Sequence, residues 1–153
     1  MLSTIDYSGD TTVPTNPYRS YNFRIEIDGI DRGGFQECSG LDSTQDPIQY
    51  REGTDKALTQ RKLPGLVTFS NISLKWGSSD DAELWEWRTK AVDGTVERRN
   101  GSIVLLNDIG EEVMRWNFRD GWPTKWTGTT FNATGNEVAI ETLEIAHEGL
   151  TKG

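Results

Sequence analysis

Apolar and polar positions alternate most persistently between residues 66 and 76. Leu66, Thr68, Ser70, Ile72, Leu74 and Trp76 fall on one side, and Val67, Phe69, Asn71, Ser73 and Lys75 on the other. β-Branched and aromatic residues dominate, so the period of two predicts one long strand. Gly77-Ser78-Ser79 ends it. Ser79 or Asp80 can then cap a helix whose positive end suits Asp80, Asp81 and Glu83. At about 100° per residue, Leu84, Trp85, Trp87, Ala91 and Val92 fall within one arc, opposite Glu83, Glu86, Thr89 and Lys90. This predicts a helix laid on a sheet through Leu84, Trp85 and Trp87. Glu86 and Lys90 stand in the favourable order for an i,i+4 ion pair, and Gly94 is the expected stop.

The rest of the chain reads mostly as strands. Residues 1–16 are polar and aperiodic, which predicts a flexible arm, with one domain over residues 17–150. Tyr21, Phe23, Ile25 and Ile27 alternate with Asn22, Arg24 and Glu26. Asp28-Gly29 fits a hairpin turn, and residues 35–41, with Cys38, a second strand. Residues 42–47 read as a loop and 48–51 as a short strand. Residues 52–64 have no regular period, and a loop of that length in a compact domain is usually functional or disordered. After the helix, Arg98-Arg99-Asn100-Gly101 is expected to turn into a strand over 102–106, and Asn107-Asp108-Ile109-Gly110 to make a hairpin turn. A strand over 112–118 is expected to break at Asp120-Gly121-Trp122-Pro123. Extended structure over 125–132 precedes a turn at Gly135-Asn136, and an alternating strand over 137–148 closes the chain. The fold class is mainly β: a sandwich or barrel of about seven or eight strands with one flanking α-helix.

The 153 residues suffice for a real core. A formal charge of −8 disfavours indiscriminate adhesion to nucleic acid or anionic membrane. No apolar run has the length of a membrane span, and the first residues lack a signal peptide's basic and apolar regions, so synthesis in a cytoplasm is expected. Candidate chemistry is sparse. His147 is the sole histidine and Cys38 the sole cysteine. No nucleophile sits in a recognisable strained turn, no cluster of Cys and His could ligate zinc, and no phosphate-binding glycine loop follows a strand. No catalytic, cofactor or metal residue is therefore expected. Six tryptophans suit a large core or contacts between subunits.

A family resemblance runs through the chain. Asn16-Pro17-Tyr18 precedes the first strand. Phe35-Gln36-Glu37-Cys38-Ser39-Gly40-Leu41, Tyr50-Arg51-Glu52-Gly53, Arg61-Lys62-Leu63-Pro64-Gly65 and Leu74-Lys75-Trp76-Gly77 follow in order. Leu84-Trp85-Glu86-Trp87, Arg98-Arg99-Asn100-Gly101, Trp122-Pro123-Thr124-Lys125-Trp126 and the closing stretch from Asn136 to Gly149 complete the set. In this order the chain resembles the inner tail-tube proteins of contractile-tailed phages and extracellular contractile injection systems. The resemblance implies a non-enzymatic subunit that forms homo-hexameric rings. These would stack into a tube inside a contractile sheath, bounded by baseplate or hub and terminator proteins, with DNA or effector proteins as cargo and no membrane insertion. A tube-end or baseplate adaptor of the same fold is the alternative. The resemblance also implies that residues 52–64 reach an adjacent ring. There Lys56, Arg61 and Lys62 would meet acids such as Asp42, Asp46 or Glu52, and Leu58 and Leu63 would pack.

Overall fold

The computed structural model describes residues 22–30, 34–54, 59–79, 82–135 and 138–153; the expected arm over 1–16 lies outside them. Nine strands and one helix follow in order: β1 (Phe23–Ile27), β2 (Phe35–Ser39), β3 (Ser43–Tyr50), β4 (Arg61–Phe69), β5 (Ile72–Gly77), α1 (Glu83–Val92), β6 (Arg99–Leu106), β7 (Glu112–Thr127), β8 (Ile140–Ala146) and β9 (Gly149–Lys152). Seven strands form one sheet ordered β1-β6-β7-β8-β5-β2, with β9 also on β7, and β3 and β4 form a separate ribbon.

The large sheet folds back on itself at β7. From Glu112 to Gly121 this strand pairs with β6, and its residues Trp116–Arg119 also pair with β9. From Trp122 to Thr127 it pairs with β8 instead. The expected break at 120–123 is thus a corner within one 16-residue strand. Asp120 takes a left-handed φ of 53°, a conformation open to Asp at modest cost. The next residue must be glycine. A Cβ on Gly121 would lie 2.6 Å from the Phe118 ring and 3.0 Å from Ile145, and one on Gly101 would meet that ring and the Glu26 carbonyl. Phe118 therefore lies against bare backbone on both sides, deep in the corner.

Inside the fold, Ile25, Ile27, Ile103 and Phe118 from one half meet Ile72, Leu74, Trp76, Leu143 and Ile145 from the other in one core. The alternation predicted for β1, β5 and β8 is what places these side chains together. Several expectations are corrected. The predicted single strand over 66–76 is two: β4 ends at Phe69 and β5 begins at Ile72, and between them the Ser70 carbonyl lies 3.0 Å from His147 Nε2. Asp28-Gly29 does turn, with φ 77° at Gly29, yet β1 pairs with β6 and β2 with β5, so the turn joins two halves of the fold and makes no hairpin. β6 begins at Arg99, earlier than expected, and β9 was not anticipated.

The helix is shorter than predicted. Ala82 stands at its N-cap with no side-chain cap bond. At its other end Gly94, φ 93°, donates to the Ala91 carbonyl and Thr95 donates to Lys90, which satisfies carbonyls that a helix end leaves open. Lys90 pairs with Glu97 at 2.8 Å rather than with Glu86. Leu84 and Trp87 are fully buried, whereas Trp85 is 54% exposed and Val92 65%. Trp85 therefore does not serve the core as expected. At about 100° per residue it sits at the rim of the apolar arc, about 160° from Trp87, beyond the stripe that a flat contact can cover. Trp87 is held further by its indole N–H, which donates to the Glu97 carbonyl at 2.8 Å, and by the Arg99 guanidinium over its ring. Trp87→Ala is expected to cost about 3–5 kcal/mol, measured by denaturant unfolding. Trp85→Ala, which gives up one aromatic contact, should cost no more than about 1.5 kcal/mol.

Candidate assembly surfaces

Among the described residues the ribbon of β3 and β4 is the most exposed pair of strands. Sequence reading made residues 42–47 and 52–64 loops, but Ser43–Tyr50 pairs with Arg61–Phe69 in an antiparallel hairpin. The reason for the difference is legible in the register. Pro47 faces Pro64 across a shift in pairing, and Gly65 lies where a Cβ would collide with the Asp46 carbonyl. Prolines and a close backbone approach mark a bulge and hide the period of two. Along both strands only Gly65 and Phe69 are even partly covered, and β3 and β4 pack substantially only on each other. Leu66 is 88% exposed, and Ile48, Tyr50, Leu63 and Val67 are also exposed. Toward the tip, Ile48 stands opposite Leu63, Gln49 opposite Lys62 and Tyr50 opposite Arg61. Three of the expected contact residues, Arg61, Lys62 and Leu63, therefore share one strand beside the tip. Lys56 and Leu58 lie outside the described residues.

The hairpin is fixed to the body at its root. Ser70 N–H donates to the Asp42 carbonyl at 3.1 Å. His147, between β8 and β9, places Nε2 3.0 Å from the Ser70 carbonyl and Nδ1 3.2 Å from that of Gly149. Its ring packs on Phe69 from the hairpin and Phe118 from the corner. The only histidine is thus a structural tie with both nitrogens against carbonyls, not a catalytic base. Sequence reading missed this role, because Ser70 and His147 are 77 positions apart.

A second surface lies along α1. Trp76, Trp126 and Trp85 stack edge to face with centroids 5.2 and 5.0 Å apart. This ladder runs from the core to solvent and ends in a groove of about 340 Å³ lined by Trp85, Arg88, Thr89, Val92 and Trp126. Arg88 donates to the Pro123 carbonyl at 3.0 Å.

A third surface is the outer face of β1, β6 and β7, where charges pair among themselves. Arg115 bonds Glu112 at 2.7 Å and Glu26 at 2.9 Å, and Arg24 bonds Glu26 at 2.9 Å. Val104, cross-strand neighbour of both arginines, is fully buried. The Arg115 guanidinium holds the carboxyls of Glu26 and Glu112 below their ordinary range. Cys38 is the opposite case: burial, with Glu37 beside it, pushes the thiol up to about 12, so it behaves as a small core residue. Among the described residues no group of His, Cys, Asp and Glu could hold a metal, and no helix is long and apolar enough to cross a membrane.

Among the described residues the exposed features are thus a bare hairpin, an aromatic groove and a paired-charge face. Residues 19–151 match the family model described as T4-like virus tail tube protein gp19, and the chain belongs to that family. It is a structural tail-tube subunit and not an enzyme. It is similar to a chain of the extracellular contractile injection system PVC sheath-tube complex in the extended state, at 29% identity and TM-score 0.83, covering 97% of this chain and 99% of that one. A chain of the PVC sheath/tube terminator structure matches at 29% identity and TM-score 0.80, covering 92% and 99%. A chain of the anti-feeding prophage tube-terminating cap matches at 28% and 0.77, covering 95% and 99%. No curated protein matches the chain. Hcp1 from Flavobacterium johnsoniae, at 18% identity and TM-score 0.55, shares the fold.

Two variants probe these surfaces. His147→Ala removes the imidazole contact with the Ser70 carbonyl at the hairpin root, about 1–3 kcal/mol, and should speed amide exchange across β3 and β4 while leaving exchange in β5 to β8 nearly unchanged. Arg115→Met tests the polar face. Carboxyls whose pKa is lowered on folding stabilise above their unfolded value of about 4.5, and that contribution disappears as pH falls through their folded values. Wild type should therefore exceed Arg115→Met in stability at neutral pH, with the two melting curves converging in acid.

Proposed function

We propose that six copies of this chain close into a ring, that rings stack into a hollow tube inside a contractile sheath, and that the β3–β4 hairpin joins one ring to the next. The observation that carries this reading is the bare hairpin. A two-stranded ribbon is marginal alone in water, and this one exposes five large apolar side chains, so it calls for cover from beyond the described residues. Arg61 and Lys62 beside its tip suit an acidic neighbour, and a chain of charge −8 supplies one. Sheath, terminator and baseplate are the partners that the names of similar structures bring with them. DNA or effector proteins would be the cargo.

A tube-end subunit is the second reading, supported by the likeness to chains in terminator and cap structures. The main-tube reading is favoured by the higher TM-score and fuller coverage of the sheath-tube match. Electron microscopy of the purified protein tests both. Long hollow tubes are expected, whereas single rings would support the tube-end reading and a stable monomer at high concentration would refute both. Arg61→Glu with Lys62→Glu should leave rings intact and shorten or abolish tubes. Salt should weaken stacking before it weakens rings, because exposed pairs are screened within about 8–10 Å.

A further inference from the structure

We infer that the acidic turn between β6 and β7 is the seat of the hairpin tip from a second copy of this chain. The inference rests on the inter-ring reading of the hairpin and names the surface that receives it. In the turn Asn107-Asp108-Ile109-Gly110-Glu111 two acids flank an apolar residue, with no basic residue among them. Ile109 is 79% exposed, and Asp108 and Glu111 are exposed beside it. The turn is held in shape from within. Asn107 Oδ1 accepts from the N–H groups of Ile109 and Glu111 at 3.1 and 2.9 Å. Gly110, φ 86°, donates to the Asn107 carbonyl, and Asn22 Nδ2 donates to the same carbonyl at 2.7 Å. An apolar knob between two carboxylates is thus presented on a rigid support, which lowers the cost of ordering it in a contact.

The hairpin presents the complement on one face. Ile48 stands opposite Leu63 and Tyr50 opposite Arg61, two residues further toward the tip, so strand alternation puts all four on the same side of the ribbon. All four are exposed. The apolar pair gives Ile109 a place to bury, and Arg61 brings a cation to Asp108 and Glu111. Other acids offer less. At the corner, Glu148 is already matched by Arg98 at 2.8 Å and Asp120 by Arg119 at 3.6 Å. On α1, Glu83 and Glu86 share their arc with Thr89 and Lys90 and with no large apolar side chain. Position supports the same pairing. The hairpin root sits at the corner end of β7, where Phe69 and Phe118 pack on His147 and the Arg119 carbonyl accepts from Glu148. Glu112, beside the turn, is seven positions from Arg119 along β7, about 23 Å at the rise of a strand. β3 and β4 pack substantially only on each other, so the ribbon is not laid back over that length. Root and seat thus lie at opposite ends of one strand. A contact between tip and seat is heterologous and repeats in one direction, as stacked rings require.

Disulfide trapping tests this directly. In a Cys38→Ser background, Leu63→Cys with Ile109→Cys should give a ladder of covalent multimers when assembled tubes are oxidised, and either cysteine alone should not. Asp108→Lys with Glu111→Lys should keep rings and the wild-type melting temperature but raise the concentration needed for tubes about tenfold. Adding Arg61→Glu to that protein should bring the concentration back down. Absence of the ladder overturns the inference, and so do tubes at the wild-type concentration from the reversed turn. Loss of rings from the reversed turn overturns it too, since the turn would then act within a ring. If the Arg61→Glu, Lys62→Glu protein makes normal tubes, the inter-ring reading of the hairpin itself falls. If that protein fails while the reversed turn assembles normally, only the seat is wrong.

Discussion

Phe118 lying between Gly101 and Gly121 is the contact on which the rest of the fold depends. The ring occupies space that any Cβ at either position would need, so β6 and β7 can approach only with glycine there. That approach sets the corner at Asp120 and Gly121, and the corner decides which part of β7 pairs with β6 and which with β8. The two halves of the sheet are then committed to face each other, and the isoleucines and leucines of β1, β5, β6 and β8 have one place to go. His147, packed on the same phenylalanine, carries the constraint outward to the root of the hairpin. Core geometry and hairpin placement thus share a single aromatic side chain.

The helix answers a different problem. One helix covers a limited area, and α1 packs on β7 with a narrow buried stripe, Leu84 and Trp87. The wider arc of apolar residues cannot all be buried by that contact. Trp85 and Val92 are the remainder, and the tryptophan ladder keeps them ordered at the surface. Residual apolar area of this kind is unfavourable on a monomer and ordinary at the interface of a subunit.

Local periodicity was enough to find the strands that face the core. In β1, β5 and β8 the buried residues recur at every second position, and burial on one face is what writes that pattern into a sequence. β3 and β4 have no buried face among the described residues, so nothing there selects alternation in them, and Pro47, Pro64 and Gly65 read as loop. The corner was misread for a related reason. Asp, Gly and Pro in succession resemble a strand end, and only Phe118 and Ile145, brought close by the folded sheet, show that the strand continues. Trp85 was misplaced by an arc drawn too wide. Of the residues expected at the contact between rings, Arg61, Lys62 and Leu63 do lie together on one exposed strand, but the proposed contact with another ring would leave no trace in one chain's pattern.

A strand that belongs to both halves of a folded sheet has a mechanical meaning. Two sheets held only by apolar side chains can slide over one another under load, since that contact is non-directional. Here β7 runs through both halves without interruption, and β8 and β9, separated only by His147 and Glu148, run back beside it. Shear between the halves would have to stretch covalent backbone twice over. In a tube subunit, load along the sheet can pass along peptide bonds rather than across a greasy seam.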